Sequence, residues 1–579
     1  MRRLFIGLPL FVSLAIFLLS FNKSSADISS PLPPAYINNE IIGCGPASTI
    51  PIVLPGERKM VPLPGWGQHA WKIETSSDSA QFYFNQGLSL FYGFHMSEAQ
   101  ASFKEAQRHD PDCAMAYWGQ AMAEGPYINA PQYNYGSPDV ISGLTKAAAL
   151  AKNELERSLI NAQQLRYKNA GNPAFQNMMV SYSNKMQALY EKHPGNIDIA
   201  VLYADALMMV NPRDWYDEKG KEKRNTVQIV ALLERILKQS PSHPAALHYY
   251  IHMVEPSTTP DRAKSAADLL FPLMPSVAHM VHMPSHIYMR TGDYSKGITS
   301  NIQAIEGYRS YQKILNGWDG NRYTYFFHNA DMQGASAVSI GDYDAANTAY
   351  SQLLSGFKST DSAFFGNAGM SNVMQFLTSQ VYLLDVRFGK WEKILQSKAP
   401  LTNRPYHQLL WQFGKGMALA KTGKLEQANQ RLEALKHLLK DPSLFARRPN
   451  RNSAIDPARI ALLLLEGTIH SAKQNWAEAM NAFESAVKAE DALRYSEPED
   501  WRLNARHYLG QALLDQQQWK KAQVVFEEDL VDHPANFWAL NGLHHALLKQ
   551  NETKKAKALK TKYNQIFTAG PKELYGAAY

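Results

Sequence analysis

Small and apolar residues recur along this chain at a fixed pitch. Between Gln81 and Pro111, the residues Gly87, Ala99, Phe103, Ala106 and Pro111 stand 12, 4, 3 and 5 apart. The same intervals run through Gly467, Ala479, Phe483 and Ala486, through Gly510, Ala522, Phe526 and Pro534, and through Gly416, Ala428 and Leu432. Fainter copies pass through Gly341, Ala346 and Tyr350, and through Gly292, Gly297 and Ala304. A pair of short helices cannot bury its own apolar stripe. The pattern therefore predicts helix pairs stacked side by side, with glycine and alanine where they approach most closely. Residues 27–75, which include PLPP, LPG and PLPG, fall outside the pitch and predict an extended leader. Tyr127–Pro138 and Asn211–Asn225 predict loops.

The pitch resembles the tetratricopeptide (TPR) repeat, in which small residues mark the meeting of helix A with helix B and a proline ends the unit. That resemblance implies an all-α fold, a TPR-like α-solenoid in which helix pairs wind into a right-handed superhelix. An N-terminal and central array would occupy residues 76–395, and further repeats with a final capping helix residues 396–579. The lysine run from Lys554 to Lys562 reads as the solvated face of that cap.

Composition narrows the class without naming a function. The chain has 579 residues, is 45% hydrophobic and 19% charged, and can bury a large core. Arg2 and Arg3, the uncharged run Leu4 to Phe21 and Ser24-Ser25-Ala26 read as a secretory signal over residues 1–26, cleaved after Ala26. The expectation is an exported protein, periplasmic or secreted, with no stable membrane insertion once the signal is removed. Cleavage lowers the formal charge from +7 by the three cations of that segment, too mild a balance to argue for nucleic acid. In an oxidising compartment Cys44 and Cys113 either form one disulfide or leave Cys113 as a small buried helix residue.

The candidate chemistry lies in the histidines. Seven of the 18 fall between His243 and His328, in HYYIHMVE, HMVHMPSHIYM and their flanks. With units beginning at Pro244 and Ala278, His248, His252 and Glu255 take positions 5, 9 and 12, and His279, His282 and His286 take positions 2, 5 and 9. Spacings of 3, 4 and 7 return to one helix face at about 100° per residue. The next unit supplies His328 and Asp331, and an earlier one Asp205. By resemblance to TPR arrays, such positions line a concave groove. Imidazoles converging with a carboxylate suit a divalent transition metal, zinc first, with copper or iron as alternatives. No glutamate follows His248, so the protease pattern HExxH is absent. Pro284 should interrupt its helix between His282 and His286 and free the carbonyl of Met280.

HYYIHMVEPS, AHMVHMPSHIYMRTGDY, DPDCAMAYWG, RYSEPEDW and LGQALLDQQQWKKAQVVFEEDL together resemble a bacterial family of exported TPR proteins with an HxxHMPSH motif, distantly similar to tetratricopeptide repeat protein 38. The resemblance runs from about His69 to Ala558 and implies the fold without implying a reaction. Gln412 stands where relatives tend to carry a histidine, so its repeat is left out of the site. Trp215, in RDWYD, either covers the groove or caps a helix pair, and Glu497, Glu499, Asp500 and Trp501 read as helix-start and packing residues. The leading expectation is an exported binding or scaffold protein that engages a peptide or protein partner and holds a metal in its central repeats. The alternatives are a metal-dependent hydrolase using the same site, with Glu255 or Asp331 as general base, or a metal-free, pH-sensitive peptide groove.

Overall fold

The computed structural model describes residues 59–579 except 131–135, 168–174, 218–219, 317–322, 358–367, 402, 447–451 and 572. The signal segment, most of the expected leader and Cys44 lie outside the described residues. The described residues belong to one compact unit.

Residues 59–77 carry no helix, and the first helix starts at Asp78, where the Ser77 side chain accepts from the Ala80 amide. From there the chain is a succession of short helices, each packed on the next. Among the described residues there is no strand, only the isolated bridges Tyr127–Ala130 and Tyr216–Glu222. The fold is an all-α, TPR-like solenoid. No helix among the described residues is long and apolar enough to cross a membrane.

The pitch has a steric cause. A Cβ added at Gly87 would come within 2.9 Å of the Phe103 ring, and one at Gly119, in the next unit, within 2.3 Å of it. Phe103 thus sits between the A helices of its own and the following unit. Phe526 lies in the same way between Gly510 and Gly542, and Phe483 against Gly467. In the fainter copy at Tyr350 the contacting glycine is Gly334, while Gly341 occupies a left-handed turn at φ 79°.

Contacts distant in sequence hold the central repeats between the two ends of the array. The Tyr325 hydroxyl donates to the Phe94 carbonyl at 2.7 Å, and the Tyr311 hydroxyl to the Pro64 carbonyl at 2.9 Å. On the other side, the Trp538 indole N–H reaches the Val338 carbonyl at 2.8 Å, and Arg502 pairs with Asp331 at 2.8 Å. The central helices are therefore covered from both directions.

Candidate metal centre

Three stretches of helix bring the histidines in. His248 and His252 lie on Pro244–Val254, which begins with proline at its first position and the His243 ring accepting from the Ala246 amide. His279 and His282 lie on Ala278–His282, and His286 on Pro284–Thr291. The break falls at Met283, whose backbone stays right-handed while Pro284 offers no amide to the preceding turn. His328 ends a π-helical turn, Tyr323–His328, that runs into Asn329–Ser339. Such widened turns are common at functional sites.

The rings sort into two triads. In the first, one nitrogen each from His248, His252 and His279 lie within 4.8 Å of one another. His248 Nδ1 donates to the Tyr92 carbonyl at 2.7 Å, which leaves its Nε2 as a lone-pair acceptor. That Nε2, the His252 Nε2 and both His279 nitrogens are buried without a hydrogen-bond partner. Phe94, held at φ 59° in the turn between the first two helices, lays its ring against His248, His252 and His279 at centroid distances of 4.5, 5.9 and 5.3 Å.

In the second triad, His286 Nε2 and His328 Nε2 stand 2.7 and 3.1 Å from His282 Nε2. His282 Nδ1 faces Asn301 Oδ1 at 2.6 Å, and the Asn301 amide is oriented by donating to the Gly297 carbonyl at 2.8 Å. The tautomer of His282 therefore carries its proton on Nδ1. Glu255 lies between the triads. Its Oε1 is 3.4 Å from His252 Nδ1, and its Oε2 is 2.7 Å from His286 Nδ1, off the axis of that N–H. Glu497 Oε2 approaches the same His286 nitrogen at 3.4 Å, and Arg213 stands 3.9 Å from Glu255 and 3.8 Å from Glu497.

The electrostatics favour neutral rings. Burial pushes His248 down to about 3. Burial, reinforced by neighbouring histidines, also holds His252, His279 and His282 well below the usual range. His286 differs: burial opposes its charge, but Glu255 and Glu497 together outweigh burial and raise it. Burial, with Glu497 adding to it, pushes Glu255 up to about 7.

The structure brings all seven sequence-predicted ligands into one region, but they do not line an open groove. His248, His252, Glu255, His279 and His282 are fully buried, and His286 and His328 nearly so. The reason lies in the covering contacts: the Tyr92–His95 turn closes one side, and Glu497 closes another. Asp331 is engaged by Arg502, and Asp205 is a separate buried carboxyl, raised to about 6 by burial against the opposing influence of Arg166. Neither belongs to a triad. Trp215 is buried, with its indole N–H lacking a partner, and lines a cleft of about 770 Å³ that also takes in Arg213 and Glu497. Cys113 is buried, and burial pushes its thiol up to about 11.

Four residues in or beside the centre were missed from the sequence. Glu497 is not a helix-start residue, because the following helix begins at Ala505 with Asn504 as its cap, and the loop delivers Glu497 to His286. Arg213, at φ 62°, and Phe94 also come from irregular backbone, where no periodicity marks them. His95, buried and stacked on Tyr325 at 4.1 Å, is the nearest to a legible signal, since it is a histidine inside an otherwise apolar run.

No protein-family model matches the chain, and no curated protein matches it. Among solved structures it is similar to yeast Tom70 (12% identity, 84% of this chain and 90% of that one, TM-score 0.25). It is also similar to the APC/C hetero-tetramer Cut9-Hcn1 (13%, 87% and 77%, TM-score 0.26). A third is the human IFIT1 dimer with m7Gppp-AAAA (10%, 85% and 91%, TM-score 0.29). Overlaps this low carry no argument about function; the helix pairs and their glycine–aromatic contacts carry the fold.

Proposed function

We propose that this is a metal-binding helical-repeat protein whose buried histidines hold a divalent transition metal, zinc first, with copper or iron as alternatives. The observation that supports this is the first triad, in which three rings present four buried nitrogens that have no hydrogen-bond partner. An unsatisfied buried polar group costs about 1–3 kcal/mol, so a buried cluster of them is poorly explained by packing alone. Neutral imidazoles with Nε2 lone pairs are the form a metal takes, and the depressed proton affinities keep them in it. The protein is exported by the segment 1–26 and engages a protein partner, as repeat scaffolds commonly do.

Glu255 and the cleft favour a second reading, a metal-dependent hydrolase. A carboxyl near neutrality beside the ligands suits a general base, and Glu497 and Arg213 connect the centre to the cleft wall. Elemental analysis of the protein should give stoichiometric zinc, with the equivalent held by the first triad lost in the His252→Ala, His279→Ala double variant and helix content retained. Protein that carries no metal and takes up no Zn²⁺ when offered it would overturn the reading. A panel of chromogenic esters and phosphate esters, with and without Zn²⁺, separates the two functions: metal-dependent turnover reduced by Glu497→Gln marks the enzyme.

A further inference from the structure

Resting on the metal-binding reading above, the geometry points to a second cation site at His282, His286 and His328, so that the centre is built for two ions, one per triad. Three features carry this. First, the three Nε2 atoms converge on one another, at 2.7 and 3.1 Å from His282. Nitrogens bound tetrahedrally at about 2.0–2.1 Å from a zinc would stand about 3.3 Å apart, so the triad is nearly at ligand spacing. Second, oxygens stand on the far side of two of the rings: Asn301 Oδ1 accepts from His282 Nδ1, and the Glu255 and Glu497 carboxylates lie beside His286 Nδ1 as ion-pair neighbours. The Asn301 contact is the outer hydrogen bond that orients a metal-bound imidazole and points its Nε2 lone pair inward. Third, Glu255 serves both triads, with one oxygen beside His252 of the first and the other beside His286 of the second. A single carboxylate placed between two sets of three imidazoles would supply negative charge to both ions.

A single ion leaves an alternative for this triad. A proton on His286 Nε2 could be shared with His282, with the acids Glu255 and Glu497 and the cation Arg213 facing His286 from the other side. The first triad has no such option, because the Nε2 atoms of His248 and His252 and both nitrogens of His279 have no hydrogen-bond partner. The two triads therefore make separable predictions.

The test uses full-length protein stripped with a chelator and titrated with Co²⁺ alone, followed by its visible absorption and by bound-metal analysis after gel filtration. The expected result is two equivalents per chain. His328→Gln, at the rim of the centre, and His279→Ala should each leave one equivalent, with far-UV circular dichroism unchanged. No uptake at all overturns both this inference and the reading it rests on. One equivalent in the unsubstituted protein, abolished by His279→Ala and unaffected by His328→Gln, overturns the second site and leaves the first. One equivalent with the reverse sensitivities overturns the paired arrangement as well. The stoichiometry of the unsubstituted protein decides the matter even where a variant fails to fold.

Discussion

Two groups of histidines lie inside this array, and they are opposite in character. In the central repeats, rings face rings: His248, His252 and His279 converge, Glu255 reaches only His252 among them, at 3.4 Å, and burial with mutual repulsion holds His252 and His279 well below the usual range. In the C-terminal repeats, rings face carboxylates. His507 Nε2 lies 3.0 Å from Asp529, and His533 contacts Asp529 at 3.1 Å and Glu499 at 2.8 Å. There burial opposes the charge on His533, but Glu499 and Asp529 raise it well above the usual range. Burial likewise opposes ionisation of Asp529, and His507 and His533 overcome it to depress that carboxyl. A histidine beside two acids is held by them, whereas a histidine among histidines keeps ring nitrogens without a hydrogen-bond partner. The same residue on the same scaffold is in one place a structural ion pair and in the other a candidate donor set.

The sharpest way to break that contrast is to take metal away. Chelation should lower the melting temperature of the unsubstituted protein by many degrees, since a ligand bound at 100 times its dissociation constant contributes about 2.7 kcal/mol and structural zinc considerably more. The His252→Ala, His279→Ala variant should lose most of this response, and Asp529→Asn should keep it; scanning calorimetry with and without chelator reads all three. Next in size, Asp529→Asn should destabilise the fold by about 3 kcal/mol in urea unfolding, because it leaves two histidines without their shared carboxylate, while metal content stays unchanged.

The pH dependence of that variant sharpens the comparison. Asp529 is depressed when folded, so its contribution is present above about pH 4 and is lost as pH falls toward the folded value. His533 is raised, so its contribution is present below about 6.5 and is lost as pH climbs through its higher folded value. The stability difference between Asp529→Asn and the unsubstituted protein should therefore be greatest at mildly acidic to neutral pH and shrink at both extremes. A flat difference across that range would remove the ion-pair account. Smaller still, Gly87→Ala should cost about 1–3 kcal/mol by crowding Phe103 and leave metal uptake intact.

Much of this was legible because helices repeat. The interval from Gly87 to Phe103, and again from Gly510 to Phe526, records a physical contact, so the fold could be read from spacing. His248 with His252, and His282 with His286, share a face for the same reason. Spacing could not say which neighbours each stripe meets. His279 joins the Pro244–Val254 helix, whereas His282, three residues on, joins His328. That division depends on how adjacent helices are rotated and on the break at Met283. Asp331 reads from its spacing as a groove residue or general base, but Arg502, 171 residues away, engages it. Glu497, Arg213 and Phe94 occupy turns and loops, where side-chain direction follows local backbone geometry and leaves no period to detect.

The placement of Glu497 has a consequence for how such a protein can evolve. Repeat arrays ordinarily gain or lose units freely, because each unit touches only its neighbours. Here a loop near residue 497 must reach a ring at residue 286, and Tyr92 must reach His248 from the opposite end. Duplicating or deleting one helix pair anywhere between these partners would pull the loop or the turn away from the centre. The number of repeats is thereby fixed by the chemistry they enclose, and a modular scaffold has become an indivisible one.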